Sequence, residues 1–587
     1  MKRINILIIF VTILSILLFS RLIYLQIIEF DHYKTLSLKN QISIIPIAPP
    51  RGIILDRHGV VLADNIPIYA LEITPEHVHN LDVTIKKIRK LLPSITNEDV
   101  KLFYRTKQQN HNFVPIPIKL HLTQEEVAII ATQQYRLNGV NITAHLLRYY
   151  PLGLLTAHIV GYVGRINLED LKKINNSNYR GTNFIGKTGI ERYYEKILHG
   201  KIGYQQVETD VSGRSVRVLN KQNPESGKKL YLTIDINLQA IAYEALNGKR
   251  GAIVAINPKN GEILAMVSAP SYDPNVFVNG INTLDYQKLS NIHDKPLYNR
   301  AVRGLYPPAS TIKPYIALAG LENNIIDLNY RIFDPGWYRL PNVKRAYHDW
   351  KKSGHGVINV KQAIMMSCDT YFYNLGHNMG INKIVKQLNQ FGFGQLTQID
   401  LFEEAAGLLP TPEWKKKIKG VSWYSGDTLI TAIGQGFMLA SPLQLAHAVS
   451  ILSEKGMNYR PHLLLNTKQS FVNPPIILKN TENWDIIIDA MHEVIINNSG
   501  TGYRFGRDAK YEVAGKTGTA EVFSSRQYKN IRYENIPEFL RDHSLFIAFA
   551  PLKSPKIAIA VMVENDFAAA SIARQVLDKY FQMLKTI

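Results

Sequence analysis

The segment YPPASTIKPYIALAGLE, residues 306–322, places a serine and a lysine three positions apart at a predicted helix start. Its two leading prolines do not suit a helix interior, and the apolar run after them is typical of a buried helix. Pro314 is tolerated only in or next to the first turn, so the helix is predicted to begin near Ser310. Residues at positions i and i+3 are neighbours on a helix surface, so the Ser310 hydroxyl and the Lys313 amine are predicted to meet.

This pair has the chemistry of an activated nucleophile. The positive end of the helix dipole disfavours a lysine cation, and a neutral amine at Lys313 can take the proton of Ser310 as the hydroxyl attacks a carbonyl. In the other interpretation, Ser310 only caps the helix and Lys313 is solvated. An isolated S-x-x-K pattern does not distinguish the two, so other motifs must decide.

The bulk properties indicate a folded protein with anionic partners. The chain has 587 residues, of which 46% are hydrophobic and 20% charged, which suits two or three domains. The net charge of +20 favours phospholipid head groups, an anionic polymer or nucleic acid. We expect no nucleic-acid partner, because the sequence has no zinc-finger pattern, aromatic RNA-binding motif or P-loop.

The N-terminus predicts a membrane anchor. MKR precedes the charge-free run INILIIFVTILSILLFS, and apolar LIYLQII follows Arg21. This length suits a membrane span, and the basic start predicts a cytoplasmic N-terminus. No A-x-A-like cleavage site follows, so we expect an uncleaved signal anchor over residues 1–30, with the rest of the chain outside the cytoplasmic membrane. A removed signal peptide is the alternative.

Two domains are predicted after the anchor. Residues 31–222 mix short strands and helices, and the polar segment NKQNPESGKK, residues 220–229, is the predicted linker. In residues 223–587, a strong hairpin signal surrounds Asn260 and Gly261, mostly helical patterning follows, and two strand-like runs and an amphipathic helix close the chain. This order predicts an α+β fold, with one antiparallel sheet joined by both ends of the domain and covered by helices.

Two further segments carry groups that suit acyl transfer from a peptide. MMSCDTYFYNLG places Ser367 and Asp369 in an apolar helical context, and YEVAGKTGTAEVF places Lys516 on a strand-like run whose glycines leave the backbone open to close approach. A peptide is expected to bind beside that run as an added strand. Its terminal carboxylate would be held by the Lys516 charge and by the hydroxyls of Thr517 and Thr519.

The three motifs S-x-x-K, S-x-[ND] and K-T-G, in that order, resemble those of the penicillin-binding proteins and serine β-lactamases. Gly518, the last residue of the third motif, is expected to contact substrate. Each motif alone is weak, since GKTG also occurs at residues 186–189, before Ser310 and in a segment interpreted as non-catalytic. The ordered set carries the resemblance.

The resemblance covers nearly the whole chain. RGIILDRHGVVLA and the Gly- and Tyr-rich segments look like the pedestal, or dimerisation-type, domain of a class B penicillin-binding protein. FDPGWYRLP, HDWKKSGHG and SCDT look like the penicillin-binding protein 2 branch. The resemblance implies one transmembrane helix, an α/β pedestal and a transpeptidase domain with a five-stranded antiparallel sheet flanked by helices. It also implies a D,D-transpeptidase for wall elongation and rod shape, anchored in the inner membrane with its catalytic domain in the periplasm.

Roles for the motif residues follow from the same resemblance. Ser310 would form the acyl-enzyme with a peptidoglycan stem peptide ending in D-Ala-D-Ala, Lys313 would be the base, and Ser367 with Lys516 would relay protons. The N–H groups of Ser310 and Thr519 would form the oxyanion hole. β-Lactams are implied as covalent inhibitors, and a SEDS-type glycosyltransferase and the elongation machinery are implied as partners.

Asp369 departs from the general pattern, because most of the superfamily has Asn there. A carboxylate near two lysines favours their protonated forms, which opposes the neutral amine proposed for Lys313. The penicillin-binding protein 2 branch is known for this Asp, so the departure supports the narrower assignment and leaves the protonation of Lys313 open.

The resemblance also implies a structural zinc site. Its ligands fall on Asp334, Asp349, His355 and Cys368, the only cysteine of the chain. Thiolate, imidazole and two carboxylates form an acceptable tetrahedral set, whereas the spacing alone contains no C-x-x-C or H-x-x-x-H pattern. In the alternative interpretation, Cys368 is a small buried residue and the others belong to turns and the surface.

Two alternative functions are weighed against the transpeptidase. A D,D-carboxypeptidase or β-lactamase would use water as the acceptor, and the long pedestal argues against a β-lactamase. A penicillin sensor or a scaffold for a glycosyltransferase would be non-enzymatic.

The segment IGQGFMLASPLQLA, residues 433–446, is interpreted as a helix start with Ser441 at the N-cap, with active-site lining as the alternative.

Overall fold

The structure of the protein is a computed structural model. It describes residues 2–31, 33–34, 42–108, 111–174, 177–209, 215–278, 280–281, 283–291, 293–465, 472–522 and 535–586.

The N-terminal helix is the predicted anchor. Helix Lys2–Ile23 continues into a π-helical turn, Tyr24–Ile28, and the apolar stretch Arg3–Ile28 has no side chains buried by protein. In the described part of the chain it is the one helix long and apolar enough to cross a membrane. Since an apolar helix surface without protein contacts needs an apolar solvent, the arrangement is consistent with a single-pass membrane anchor.

Among its described residues, the pedestal has two larger sheets and one small strand pair. A three-stranded antiparallel sheet next to the anchor is formed by Ile42–Ile47, Gly203–Thr209 and Ser215–Gln222. The second sheet consists of Leu230–Tyr231, Ile54–Leu55, Val61–Ile73, Ile116–Leu122 and Val140–Tyr149. The helices of the pedestal are Leu81–Leu91, Asn97–Gln108, Gln124–Gln133, Ala157–Val160, Leu168–Leu171, Gly189–Tyr193 and Glu195–Leu198, and a small strand pair is formed by Val163–Arg165 and Phe184–Gly186.

The two domains share a strand pair and a buried core, which the predicted boundary between residues 222 and 223 does not imply. Leu230–Tyr231 lies beyond that boundary and pairs in parallel with the pedestal strand Ile54–Leu55. Side chains of this part of the pedestal belong to the same buried core as the C-terminal domain, whereas the pedestal head around Phe103 has a core of its own. The part of the pedestal whose side chains share this core, which we call the lower pedestal, therefore packs with the C-terminal domain as one body.

The C-terminal domain is built on the predicted five-stranded antiparallel sheet. Its strands, in spatial order within the described residues, are Ile263–Ala269, Gly251–Ile256, Ile557–Val563, His543–Ala550 and Ala514–Ala520. The three central strands are almost entirely buried along their length, so both faces are covered, and their near-continuous apolar sequences suit that position. The α+β prediction and the joining of both domain ends in one sheet are confirmed.

Helices cover this sheet and carry the polar motifs. The helices of the domain are Ile236–Ala245, Asn275–Val278, Thr283–Asn291, Lys313–Glu322, Val360–Met365, Asp369–Met379, Ile381–Gln390, Pro412–Lys419, Ser425–Ala432, Pro442–Ser453, Glu482–Ile496, Tyr503–Gly506 and Ala569–Thr586. Three small strand pairs lie outside the main sheet, Arg331–Asp334 with Gly356–Asn359, Trp337–Arg339 with Ala346–His348, and Asn458–Tyr459 with Val472–Asn473.

A buried ion cluster fixes the lower pedestal. Both carboxylate oxygens of Glu191 bind guanidinium groups, Arg51 at 2.6 Å and Arg148 at 2.6 Å, and Arg51 also binds Glu195 at 2.6 Å. Burial by itself raises the pKa of Glu191, but the two guanidinium groups outweigh it and hold the pKa below its usual value. Glu191 follows the first GKTG copy, residues 186–189, so that copy belongs to the pedestal, away from the sheet of the C-terminal domain.

Removal of Glu191 is expected to destabilise the protein strongly. In Glu191→Ala the buried Arg148 guanidinium loses its counter-ion and Arg51 keeps only Glu195, so the free energy of unfolding should fall by about 3–5 kcal/mol. Urea denaturation of the detergent-solubilised chain measures the change. Glu225→Ala is the control, because the Lys201–Glu225 pair is exposed and should contribute less than about 1 kcal/mol. Equal effects of the two substitutions would contradict the prediction.

Candidate active site

Ser310 lies in a strained turn before a buried helix. A 3-10 turn, Ala309–Ile312, leads into helix Lys313–Glu322, so the regular α-helix begins three residues later than predicted. Ala309 has a φ of 52°, a left-handed conformation that costs a non-glycine residue about 1–3 kcal/mol. The Ala309 N–H donates to the Gly434 carbonyl at 2.8 Å, and a Cβ on Gly434 would lie 2.2 Å from the Ala309 carbonyl oxygen. The segment that begins at Gly434 therefore holds the turn before Ser310.

Lys313 joins the first motif to the second. Its side chain is fully buried, and its Nζ donates to the Ser367 carbonyl at 2.8 Å, the Ser367 hydroxyl at 3.3 Å and Asp369 Oδ1 at 2.7 Å. Three acceptors match the three N–H groups of an ammonium ion. The Asp369 carboxylate, which was expected from the sequence to lie near the two lysines, therefore contacts Lys313 directly.

The second motif lies where two helices meet. Ser367 follows helix Val360–Met365 and has a φ of 57°, so it too is held in the left-handed region. Asp369 is the first residue of helix Asp369–Met379, and its N–H donates to Asp349 Oδ2 at 2.7 Å. Asp349 therefore caps this helix from outside it. The cap fixes the position of the Asp369 backbone, from which the Asp369 carboxylate extends to Lys313.

The third motif lies on an edge strand against the nucleophile turn. Strand Ala514–Ala520 pairs with His543–Ala550 and occupies one end of the sheet, and no strand of the described residues pairs with its other edge, where an added strand can bind. A Cβ on Gly518 would lie 2.9 Å from Thr311 Cγ2, which explains why the strand approaches the turn at a glycine. The structure thus places all three motifs around one cleft.

The side chains of this strand differ in their surroundings. Lys516 is fully buried, Thr519 is exposed, and the Thr517 hydroxyl donates to the Thr501 hydroxyl at 2.8 Å. Burial lowers the pKa of Lys516, and the nearby Lys313 cation lowers it further, so the pKa lies well below its usual value. The two lysines therefore differ in their surroundings: Lys313 contacts the Asp369 carboxylate, whereas burial favours the neutral form of Lys516.

Several contacts of the cleft were not predicted from sequence. Thr501 supports Thr517, and the Gln435 side chain donates to the Thr519 carbonyl at 2.9 Å. Trp350 donates its backbone N–H to Asp369 Oδ2 at 3.3 Å and its indole N–H to the Ser367 carbonyl at 3.2 Å. Of these residues, only Gln435 lies in a segment for which active-site lining was an alternative interpretation of the sequence, IGQG at residues 433–436. Its helix-start interpretation also holds, since Ser441 accepts from the Gln444 N–H at 3.2 Å.

The four predicted metal ligands form one buried cluster. One donor atom from each of Asp334, Asp349, His355 and Cys368 lies within 4.8 Å of the others. His355 Nδ1 is 2.7 Å from Asp334 Oδ2 and 3.7 Å from Asp349 Oδ1, and Cys368 Sγ is 3.3 Å from Asp334 Oδ2. Burial and then the Asp349 charge raise the pKa of the Cys368 thiol. This set of two carboxylates, an imidazole and a sulfur suits a divalent cation of the zinc type.

Family comparisons agree with this fold and cleft. A family model described as the penicillin binding protein transpeptidase domain matches residues 251–582, and one described as the penicillin-binding protein dimerisation domain matches residues 46–232. The chain therefore belongs to the penicillin-binding protein family. The predicted domains, residues 31–222 and 223–587, differ from the matched regions at their bounds: the dimerisation match runs past the predicted boundary to residue 232, and residues 233–250 lie between the two matches.

Individual relatives narrow the family. Peptidoglycan D,D-transpeptidase MrdA of Escherichia coli (strain K12) is 42% identical over 583 residues, which cover 97% of this chain and 92% of that protein. MrdA of Acinetobacter baumannii is 44% identical over 582 residues, which cover 97% of this chain and 86% of that protein. A solved complex between penicillin-binding protein 2 and MreC from Helicobacter pylori is 32% identical with a TM-score of 0.83, covering 93% of this chain and 99% of that chain. The resemblance to penicillin-binding protein 2 is confirmed.

The lowered pKa of Lys516 predicts a specific pH dependence of stability. Between that lowered pKa and about 10.4, the usual lysine value, the unfolded chain binds a proton at this position that the folded chain does not. The stability contributed by Lys516 is therefore smallest at low pH and rises with pH across this window. Relative to Lys516→Met, the wild-type free energy of unfolding should gain up to about 1.4 kcal/mol per pH unit between about pH 8 and about pH 10.

Urea denaturation at the two pH values measures this difference. Lys386→Met, at an exposed position on helix Ile381–Gln390, is the control. The difference in the free energy of unfolding between wild type and this variant should be the same at both pH values. A wild-type curve parallel to that of Lys516→Met would show that Lys516 is charged in the folded protein.

Proposed function

We propose that this protein is a membrane-anchored peptidoglycan D,D-transpeptidase of the elongation type. The observation that carries the proposal is the position of Lys313, which follows the Ser310 turn directly and binds both polar residues of the second motif. The open edge of strand Ala514–Ala520, beside the same turn, supplies the place where a peptide tail binds as an added strand. A nucleophile, a proton carrier and a peptide-binding edge together suit acyl transfer from a peptide.

The proposed reaction forms and resolves an ester on Ser310. The Ser310 hydroxyl attacks the carbonyl of the D-Ala-D-Ala bond, its proton passes to Lys313, and the relay through Ser367 delivers a proton to the leaving D-Ala amine. An amine from a neighbouring strand then attacks the ester, and its proton returns to Ser310 as the new amide forms. The N–H groups of Ser310 and Thr519 stabilise the oxyanion in both steps.

Lys516 has a proposed role in preparing the base. A bound substrate carboxylate, held by Thr517 and Thr519, favours the charged form of Lys516. Transfer of a proton from Lys313 to Lys516 then leaves Lys313 as the neutral amine that accepts the Ser310 proton. The lowered pKa of the buried Lys516 supports a change in its protonation when the carboxylate binds.

The proposed location and partners follow from the anchor and the relatives. The catalytic domain is placed in the periplasm, with helix Lys2–Ile23 in the inner membrane. The solved Helicobacter pylori complex contains MreC, and by analogy this chain binds components of the elongation machinery. A SEDS-type glycosyltransferase is the proposed membrane partner, and stem peptides and β-lactams are the proposed ligands of the cleft.

We also propose that the cluster of Asp334, Asp349, His355 and Cys368 holds a structural zinc ion. Bound zinc would supply a closed tetrahedral site that keeps the four side chains in place. Cys368 lies between Ser367 and Asp369, and Asp349 Oδ2 caps the helix that begins at Asp369. The residues of the cluster therefore position the second motif and take no part in proton transfer.

Loss of the nucleophile should abolish acylation. The detergent-solubilised chain is incubated with a fluorescent penicillin, and covalent labelling is followed by gel electrophoresis. Ser310→Ala should lower labelling by at least about 10³-fold, because it removes the hydroxyl that forms the ester. Ser571→Ala, an exposed serine on helix Ala569–Thr586, is the control and should label normally. Undiminished labelling of Ser310→Ala would reject the proposed nucleophile.

The zinc proposal is tested by metal content and stability. Purified protein should contain about one zinc ion per chain, and His355→Ala should lose the metal together with part of its thermal stability, since ligand sets of this kind contribute directly to folding. His121→Ala, at an exposed position in the pedestal, should keep the metal. Metal-free wild-type protein of undiminished stability would contradict the proposal.

A further inference from the structure

A second cavity lies beside the cleft. It has a volume of about 720 Å³, which is within the range of ligand-binding sites. One wall is the connection between strands Trp337–Arg339 and Ala346–His348, with Tyr347 of the second strand, and another wall is the start of helix Ser425–Ala432. The two walls are closely fitted, because a Cβ on Gly426 would lie 2.2 Å from the Tyr347 hydroxyl.

A short segment lies between the turn that carries the nucleophile and this cavity, and it contacts both. The Gly434 carbonyl accepts from the N–H of Ala309, the residue before Ser310, and two residues later Gly436 and Phe437 line the cavity. Two residues of extended chain span at most about 7 Å. The Gln435 side chain, between them, binds the edge strand through the Thr519 carbonyl. The segment 434–437 thus contacts the Ser310 turn and the edge strand and also lines the cavity.

The cavity carries positive charge and aromatic surface. Arg345 lines it, is exposed, and lies 5.0 Å from the centre of the Tyr347 ring. Lys419 lies 5.9 Å from the centre of the Phe437 ring, which also lines the cavity. The aromatic rings offer apolar contact area, and an arginine held over a ring offers a planar donor for a carboxylate.

Asp427, the acidic residue of the lining, is already neutralised. Its Oδ2 accepts from Lys415 Nζ at 2.5 Å and from the Tyr424 N–H at 2.8 Å. Lys415 is buried and also lies 4.6 Å from the centre of the Tyr424 ring, so this pair forms part of the wall. Of the charged side chains that line the cavity, Asp427 is thus paired, whereas Arg345 forms no ion pair with a described residue and can meet an entering ligand.

We propose that this cavity binds the acceptor stem peptide, the carboxylate-bearing peptide whose amine takes the acyl group from Ser310. The inference rests on the proposed function, which requires two peptides at once. The donor peptide occupies the open edge of strand Ala514–Ala520, so the second peptide needs a separate site within reach of the ester. The cavity shares segment 434–437 with the Ser310 turn, which places it near the ester, and its arginine and aromatic walls suit an anionic peptide.

The experiment separates the use of a peptide acceptor from the chemistry at Ser310. The full chain in detergent is given a D-Ala-D-Ala donor peptide and one of two acceptors. The first is a synthetic peptide with one free side-chain amine and free carboxylates, and the second is hydroxylamine, which is too small to need the cavity. Arg345→Glu should raise the KM for the peptide acceptor about tenfold or more, as expected for loss of a charge-assisted hydrogen bond. Transfer to hydroxylamine and labelling by penicillin should stay within about twofold of wild type.

Two further variants make the result specific to the cavity. Lys386→Glu has the same charge reversal at an exposed position on helix Ile381–Gln390 and should leave the KM for the peptide acceptor unchanged. Tyr424→Ala removes an exposed ring at the cavity and should raise that KM without changing transfer to hydroxylamine.

Three outcomes would overturn the acceptor assignment. One is an unchanged KM for the peptide acceptor in both cavity variants, and another is an equal loss with the peptide and with hydroxylamine. The third is a wild-type chain that acquires no penicillin label, which would reject the proposed function itself and, with it, a site for an acceptor. Normal labelling combined with normal peptide transfer in the variants would reject the cavity alone.

Discussion

The contact between the Lys313 ammonium and the Asp369 carboxylate is the interaction on which the cleft depends. A lysine without solvent exposure is costly unless its charge is paired and its protons are bound, and Ser367 and Asp369 meet both needs. The two sides of this contact come from parts of the chain more than fifty residues apart, at positions 313 and 369. The Ser310 turn is therefore in its functional place only when the helix that begins at Asp369 is also in place.

The position of Asp369 depends in turn on groups that carry no part of the reaction. Asp349 caps the helix with one carboxylate oxygen and faces His355 with the other. Cys368 accepts the Tyr371 N–H at 3.3 Å and lies against Asp334. The cluster of Asp334, Asp349, His355 and Cys368 thus fixes the second motif through backbone hydrogen bonds, and the strained φ of Ser367 is held between the two helices.

The sequence predicted what local patterns and residue order determine. The turn at Asn260 and Gly261 set the hairpin, the apolar runs at both ends of the domain set the sheet, and the order of the three motifs led to the cleft residues. It did not predict the contacts made across long sequence separations, such as the Thr501 support of Thr517 and the hydrogen bond from Gln435 to the edge strand. It also missed the left-handed turns at Ala309 and Ser367, because neither residue type favours that conformation. The parallel pairing of Leu230–Tyr231 with the pedestal strand Ile54–Leu55 was also missed, because the two strands lie far apart in the sequence.

The order of strands in the main sheet has a consequence for synthesis of the protein. Gly251–Ile256 pairs with Ile557–Val563, and the edge strand of the cleft pairs with His543–Ala550, so the partners of early segments are among the last to leave the ribosome. Pairings of such high contact order form slowly and expose apolar strands meanwhile. The anchor emerges first and tethers the nascent chain, so each molecule must remain attached at one end and incomplete at the other until its C-terminal strands arrive. A truncation that removed only these last strands would leave every motif residue present and no cleft to hold them.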